Sequence, residues 1–273
     1  MLSLEIIGYL SIFLMGLTLG LIGAGGSILT VPILVYLFAL SPTLATAYSL
    51  ALVGATALAG GLKHLMHGNF DREAFLVFGL PSILSVYLSR RFLLPAIPPD
   101  LGSIAGLEVT RDGLIMLVFS FLMLAAASLM IRGRRSGSKN EITENLNDSA
   151  RPRHLIAALE GSIVGAVTGL VGAGGGFLIV PVMIWLLKLP IRIAVATSLL
   201  VIAAKSLIGF AGDLQIGQPI DWTFLLQLFA LSLLGILTGS RYSQKIPTAH
   251  LQKGFGYFIL IAGILILGKE FSA

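Results

Sequence analysis

Two glycine-rich stretches carry the most distinctive chemistry in this sequence. Gly23, Gly25 and Gly26 recur as Gly172, Gly174 and Gly175, with Gly176 following in the second copy and Ser27 in its place in the first. Glycine in a helix interior costs about 1 kcal/mol relative to alanine. A chain that accepts this cost repeatedly, at two matched places, is read as breaking a helix there. A helix interrupted inside a membrane leaves backbone N–H groups unpaired at the start of the next segment, with partial positive charge, and such groups suit an anion. Close helix packing is the competing reading, and it fits best the outer pairs Gly16/Gly20 and Gly165/Gly169. Neither core carries the Lys-Ser/Thr that would complete a phosphate loop.

Other residues could join such a site. Lys205 lies inside an apolar segment with no acid within a helical turn, which reads either as a functional intramembrane cation or as a side chain snorkelling towards the Asp213 end. Ser49 and Ser198, with Thr46 and Thr197, place hydroxyls in the segments after the breaks, where they could bind substrate oxygens or the carbonyls of their own helices. Pro32 and Pro181 stiffen or kink the short stretches that follow the glycines. Lys63, His64 and Glu160 read as interface residues, and Trp185 and Trp222 as aromatic belt. No cysteine is present, and the four histidines are dispersed. Thiol chemistry is therefore excluded, and neither a metal nor another cofactor is expected. No acid, base and nucleophile cluster as an enzyme requires.

The elements that must position these residues are membrane helices. With 56% hydrophobic and 11% charged residues in 273 and a mean hydropathy of +0.95, the chain needs lipid as its solvent. Its unbroken apolar runs exclude the alternating pattern of a membrane barrel. The first run has no basic leader and reads as a retained helix, not a signal peptide. Expected segments are 2–22, 28–40, 43–62, 74–94 and 114–131, then 154–171, 177–187, 193–212, 222–240 and 251–267. The stretch 2–40 would be roughly 58 Å of continuous helix, so it must fold back, bend or cross twice. Residues 94–112 are read as a loop.

A constant shift of 149 lays the first glycine element, the Ala45–Leu50 stretch and Gly60 over the second element, Ala194–Leu199 and Gly209, and Asp71 over Asp221 at a shift of 150. This is an internal duplication: a first transmembrane repeat over 1–131, a basic, cytoplasmic linker over 132–153, and a second transmembrane repeat over 154–273. The fold expected is an all-α integral membrane protein of two homologous helical repeats, each with a glycine-broken first helix. Whether they are inverted depends on how the first stretch is counted. The positive-inside bias favours inversion with both termini periplasmic, although Arg90, Arg91 and Arg111 would then stand on the outer side.

The paired G-x-x-x-G-L-[IV]-G-A-G-G elements followed by proline, the Ala-x-Ala-x-Ser-Leu starts and the basic linker resemble the TauE/SafE permeases, the sulfite exporter or toluene-sulfonate uptake group. The resemblance spans essentially the whole chain. It implies a multi-pass inner-membrane permease for a small anion such as sulfite or an organosulfonate, with both glycine elements near the path. Ser27 opposite Gly176 implies two unequal half-sites. The candidate substrate-binding set is therefore Gly23, Gly25, Gly26, Ser27, Ser49, Gly172, Gly174, Gly175, Gly176, Ser198 and Lys205, with the breaks expected to meet. The expected partners are the anion and the lipid bilayer, not nucleic acid, with a homodimer left open. An anion channel and a membrane scaffold are the alternative functions.

Overall fold

In lipid, each backbone N–H must find its acceptor within its own segment, so long apolar runs become helices. The computed structural model describes residues 2–22, 24–66, 68–104, 107–132, 150–242 and 248–272. Gly23 and most of the linker lie outside them. The first half contains α1 (Leu2–Ile22), a tight 3-10 turn (Ala24–Leu29), α2 (Thr30–Tyr36), α3 (Pro42–Met66), α4 (Arg72–Ala96) and α5 (Arg111–Arg132). The second contains α6 (Ala150–Val171), α7 (Gly176–Trp185), α8 (Ile191–Ile216), α9 (Trp222–Tyr242) and α10 (Thr248–Ser272). Among the described residues six helices are long and apolar enough to cross a membrane.

The 94–112 stretch is not simply a loop. It holds an antiparallel hairpin, β1 (Asp100–Ile104) with β2 (Leu107–Thr110), whose end pairs are Asp100 with Thr110 and Ile104 with Leu107. Local β pairing satisfies backbone groups that a polar, proline-bounded segment cannot place in a helix.

The stretch from Leu2 to Leu40 folds back. A Cβ on Gly26 would lie 2.5 Å from Thr18 Oγ1 and 2.6 Å from the Leu19 nitrogen, so the turn presses onto the upper part of α1. From there α2 returns until Phe38 meets Tyr9 edge-on at 5.2 Å. Seven residues of α2 reach only about 10 Å, too short to cross alone. The chain thus enters and leaves at one end of the bundle.

Contacts fix which elements share each end. Phe224, opening α9, meets both Phe38 and Tyr48; Thr43 donates to Asp112; and Lys269, near the end of α10, sits over the Tyr36 ring. At the other end Asp71, before α4, meets Thr197 of α8, and Glu73 pairs with His154 of α6 at 3.0 Å.

The duplication appears as reciprocal packing. Gly16 of α1 lies against the Ser232 backbone of α9, and its counterpart Gly165 of α6 against the Ser82 backbone of α4. The missing Cβ of Gly60 would meet Ile236, and that of Gly209 would meet Val86. The Asp71 N–H donates to Thr197 Oγ1, and the Asp221 N–H to the Tyr48 hydroxyl. Residues matched by the sequence shift thus make matched contacts, and the two halves pack against each other in one bundle. α3 and α8 are its centre: 78% and 67% of their apolar windows are buried, against 33–39% for the other spans. They run in opposite senses, with Gly54 against Leu207 and Gly61 against Leu200. Outside them, Leu80, Leu84, Leu226 and Leu234 are exposed, as lipid contact requires.

Candidate functional site

The site is built where the second glycine break meets the first. In the chain after α6, Gly172, Gly174 and Gly175 have φ of +70°, +63° and +70°, a left-handed region that side-chain-bearing residues rarely adopt. Space is equally restrictive. A Cβ on Gly172 would stand 2.6 Å from Thr46 Cα, one on Gly174 would stand 2.7 Å from Val53 Cγ1 and 3.3 Å from Ser27 Oγ, and one on Gly175 would stand 2.8 Å from Lys205 Nζ. Both conformation and approach exclude larger residues. The first break takes a different form, a right-handed 3-10 turn through Gly25 and Gly26.

A helix that stops inside a bundle leaves carbonyls without partners. Side chains from other elements meet carbonyls at the end of α6 and just beyond it: Arg90 Nη1 donates to the Gly169 carbonyl at 3.3 Å, Ser49 to the Gly172 carbonyl at 2.6 Å and Ser27 to the Ala173 carbonyl at 3.0 Å. Ser27 and Ser49 are both fully buried. Their hydroxyl protons are committed to backbone, so in this conformation they shape the break.

Lys205 does not snorkel. It is 1% exposed, and its ammonium donates to Thr168 Oγ1 at 2.8 Å, beside Gly175. Thr168 in turn donates to the Val164 carbonyl. A lysine has three donor positions, and among the described residues Thr168 is the one acceptor that Lys205 meets. Gly176 opens α7, where Leu178 and Ile179 N–H groups already turn to the Gly175 carbonyl. The N–H groups of Gly176 and Phe177 head that helix, where no intrahelical acceptor exists.

Pseudo-symmetry makes Lys205 more informative. Its counterpart is Thr56, which shares a 2.7 Å hydrogen bond with Ser232. The counterpart of Ser232 is Ser82, yet Lys205 turns to Thr168, and Ser82 Oγ is buried with no partner, as is Ser206 Oγ. One half closes its polar pair and the other leaves donors and acceptors open.

Ser27, Ser49, Gly26, Gly172, Gly174, Gly175, Gly176 and Lys205 are thus brought into one neighbourhood, which Gly25 adjoins. Ser198 is buried but donates to the Val195 carbonyl of its own helix. Trp185 and Trp222 point outward, as expected of belt residues, and Glu160 is half-buried on α6.

Sequence reasoning missed Arg90 and Asp213, taking Arg90 as a charge at the outer end. Both are fully buried, with Arg90 Nε and Nη2 donating to Asp213 Oδ2 at 2.9 and 2.7 Å and Nη1 to Thr46 Oγ1 at 2.9 Å. Pro81 and Pro95 lack an N–H, and each follows a widened π turn of α4, Phe75–Gly79 and Ser89–Leu93. The second of these turns contains Arg90. Removing one partner of such a pair costs about 3–5 kcal/mol. The signal in the sequence was an arginine and an aspartate, each inside an apolar run and needing the other.

A family model described as sulfite exporter TauE/SafE matches residues 9–266. A "probable membrane transporter protein" of Xylella fastidiosa (strain 9a5c) is 29% identical over 266 residues, covering 95% of this chain and 94% of the relative. The probable membrane transporter protein YdhB of Bacillus subtilis is 28% identical, with 94% and 98% covered. MJ0441 of Methanocaldococcus jannaschii, described in the same words, is 24% identical, with 93% and 92% covered. No solved structure matches.

Proposed function

The chain belongs to the TauE/SafE sulfite exporter family of membrane proteins, and we propose that it carries a small sulfur oxyanion or organosulfonate, such as sulfite, by secondary transport. The observation that carries this reading is Lys205: a buried ammonium beside a glycine break, bonded to one neutral hydroxyl. A buried cation without a carboxylate partner is costly, and an anion would relieve that cost. The N–H groups heading α7 add partial positive charge at the same place. Their arrangement suits an ion with several oxygens.

A carrier is favoured over a channel because Ser27, Ser49 and Lys205 are all buried in this conformation. Substrate would reach them only after a rearrangement, and pseudo-two-fold halves offer one by exchanging their conformations. The antiparallel course of α3 and α8 supports two inverted repeats. Lys63, Arg72, Lys188, Arg192, Arg241 and Lys253 lie at the linker end, which supports placing that end in the cytoplasm. Arg90, being ion-paired and buried, no longer counts against this orientation.

The test is flux into proteoliposomes holding the full chain, with sulfite, thiosulfate, sulfate, small sulfonates and chloride, with and without a pH gradient. Saturable uptake of a sulfur anion over protein-free vesicles is expected. Equal, non-saturating passage of every anion would establish a channel instead, and no passage above the control would overturn the reading.

A further inference from the structure

We propose that the buried Arg90–Asp213 pair is a proton-coupling site: an incoming anion takes the place of Asp213 on the Arg90 guanidinium, and Asp213 accepts a proton at Oδ1. This inference rests on the anion-carrier reading above. It adds what drives the anion and which residues do so.

Lys205 donates to Thr168 at 2.8 Å and Arg90 to the Gly169 carbonyl at 3.3 Å, so two cations touch consecutive residues of α6. Arg90 also holds Thr46, the residue against which Gly172 packs. The guanidinium thus forms part of the wall of the second break.

An arginine and a carboxylate commonly pair through both oxygens. Here Nε and Nη2 both use Asp213 Oδ2, and Oδ1 is buried with no hydrogen-bond partner. An orphaned buried acceptor calls for an explanation. A proton-receiving oxygen provides one, because a carboxyl protonated there gives up its hold on arginine without leaving a buried charge.

The pseudo-symmetric positions of Arg90 and Asp213 are Ser240 and His64. The arginine and the carboxylate therefore belong to one half-site alone, the one that holds Lys205.

Few other ionisable groups surround the pair. α4 brings Tyr87, bonded to Gln215 of α8, and Arg91, half-exposed against Phe92. α8 brings Lys205 two turns earlier, α3 the neutral Thr46 and α6 the Gly169 carbonyl. α7 and the break contain no ionisable residue. The charges balance. Before binding, the pair is Arg⁺ with Asp⁻; afterwards it is Arg⁺ with the anion, beside a neutral Asp. A monovalent anion and one proton therefore move together without net charge.

The experiment uses the full chain in proteoliposomes with labelled methanesulfonate, monovalent and fully ionised at neutral pH, and a luminal pH dye. Wild type should concentrate the anion when the lumen is the more alkaline side, and the lumen should acidify as the anion enters. Asp213→Asn should still exchange labelled for unlabelled anion but lose both the accumulation and the acidification. Accumulation by Asp213→Asn, or anion entry in wild type without protons, would overturn the inference while leaving the carrier standing. No exchange by wild type would overturn both. Should Asp213→Asn not be recovered folded, wild type in weakly buffered detergent decides: adding the anion should draw protons from solution, and no uptake overturns the inference.

Discussion

Replacing Lys205 by methionine is the sharpest perturbation of the anion site. The two side chains are similar in length, and Thr168 keeps its 2.6 Å bond to the Val164 carbonyl, so no buried polar atom loses its last partner. What disappears is one charge. An anion in contact with an ammonium, about 4 Å between charge centres, gains about 4 kcal/mol at an effective dielectric of 20. Part of this is offset, because binding must loosen the Lys205–Thr168 hydrogen bond, worth about 1.5–3 kcal/mol when one partner is charged. A net loss of about 1–2.5 kcal/mol raises KM by about five- to sixtyfold. Folding should not suffer, since methionine buries no charge. The assay is initial-rate flux against anion concentration in proteoliposomes, alongside a thermal unfolding curve of the purified protein. An unchanged KM with unchanged flux would refute the assignment of Lys205 to the anion, and an unchanged KM with lowered stability would make the lysine a packing element.

Three further outcomes follow from the same geometry. Gly172→Ala should destabilise by about 2–5 kcal/mol, combining a left-handed backbone cost with overpacking against Thr46. Gly217→Ala has φ +83° but open space around it, so it should lose about 1–2 kcal/mol; equal unfolding midpoints would refute the close approach. Gly174→Val should abolish flux by driving Val53 and Ser27 apart, and a variant that transports at the wild-type rate would reduce this glycine to packing. Reporters should place the C-terminus after Ala273 outside the cytoplasm and Gly137 inside it; both on one side would reject the inverted arrangement, and the reverse pattern would reject the orientation.

Much of the fold was legible in the sequence because its information is local. The run Leu2–Ile22 matches α1 residue for residue, and the glycine cores mark where helices stop, since apolar continuity and glycine act on the backbone around them. The duplication was legible as well, being written in residue identities. What sequence could not decide was partnership. It left 2–40 as fold-back, bend or double crossing, because only the seat of Gly26 against Thr18 and of Phe38 against Tyr9 selects the first. It left Lys205 between core and interface, because a four-carbon stem reaches both, and the hydroxyl of Thr168, 37 residues away, holds it in the core. It counted Arg90 among the charges of the outer side, because a charge near the end of an apolar run is ordinarily solvated. Asp213, 123 residues distant, is what makes burial tolerable. Hydrophobicity and glycine fix where a chain crosses and breaks. Which buried charge meets which partner depends on the packing of helices far apart in sequence, and that is decided by tertiary structure alone.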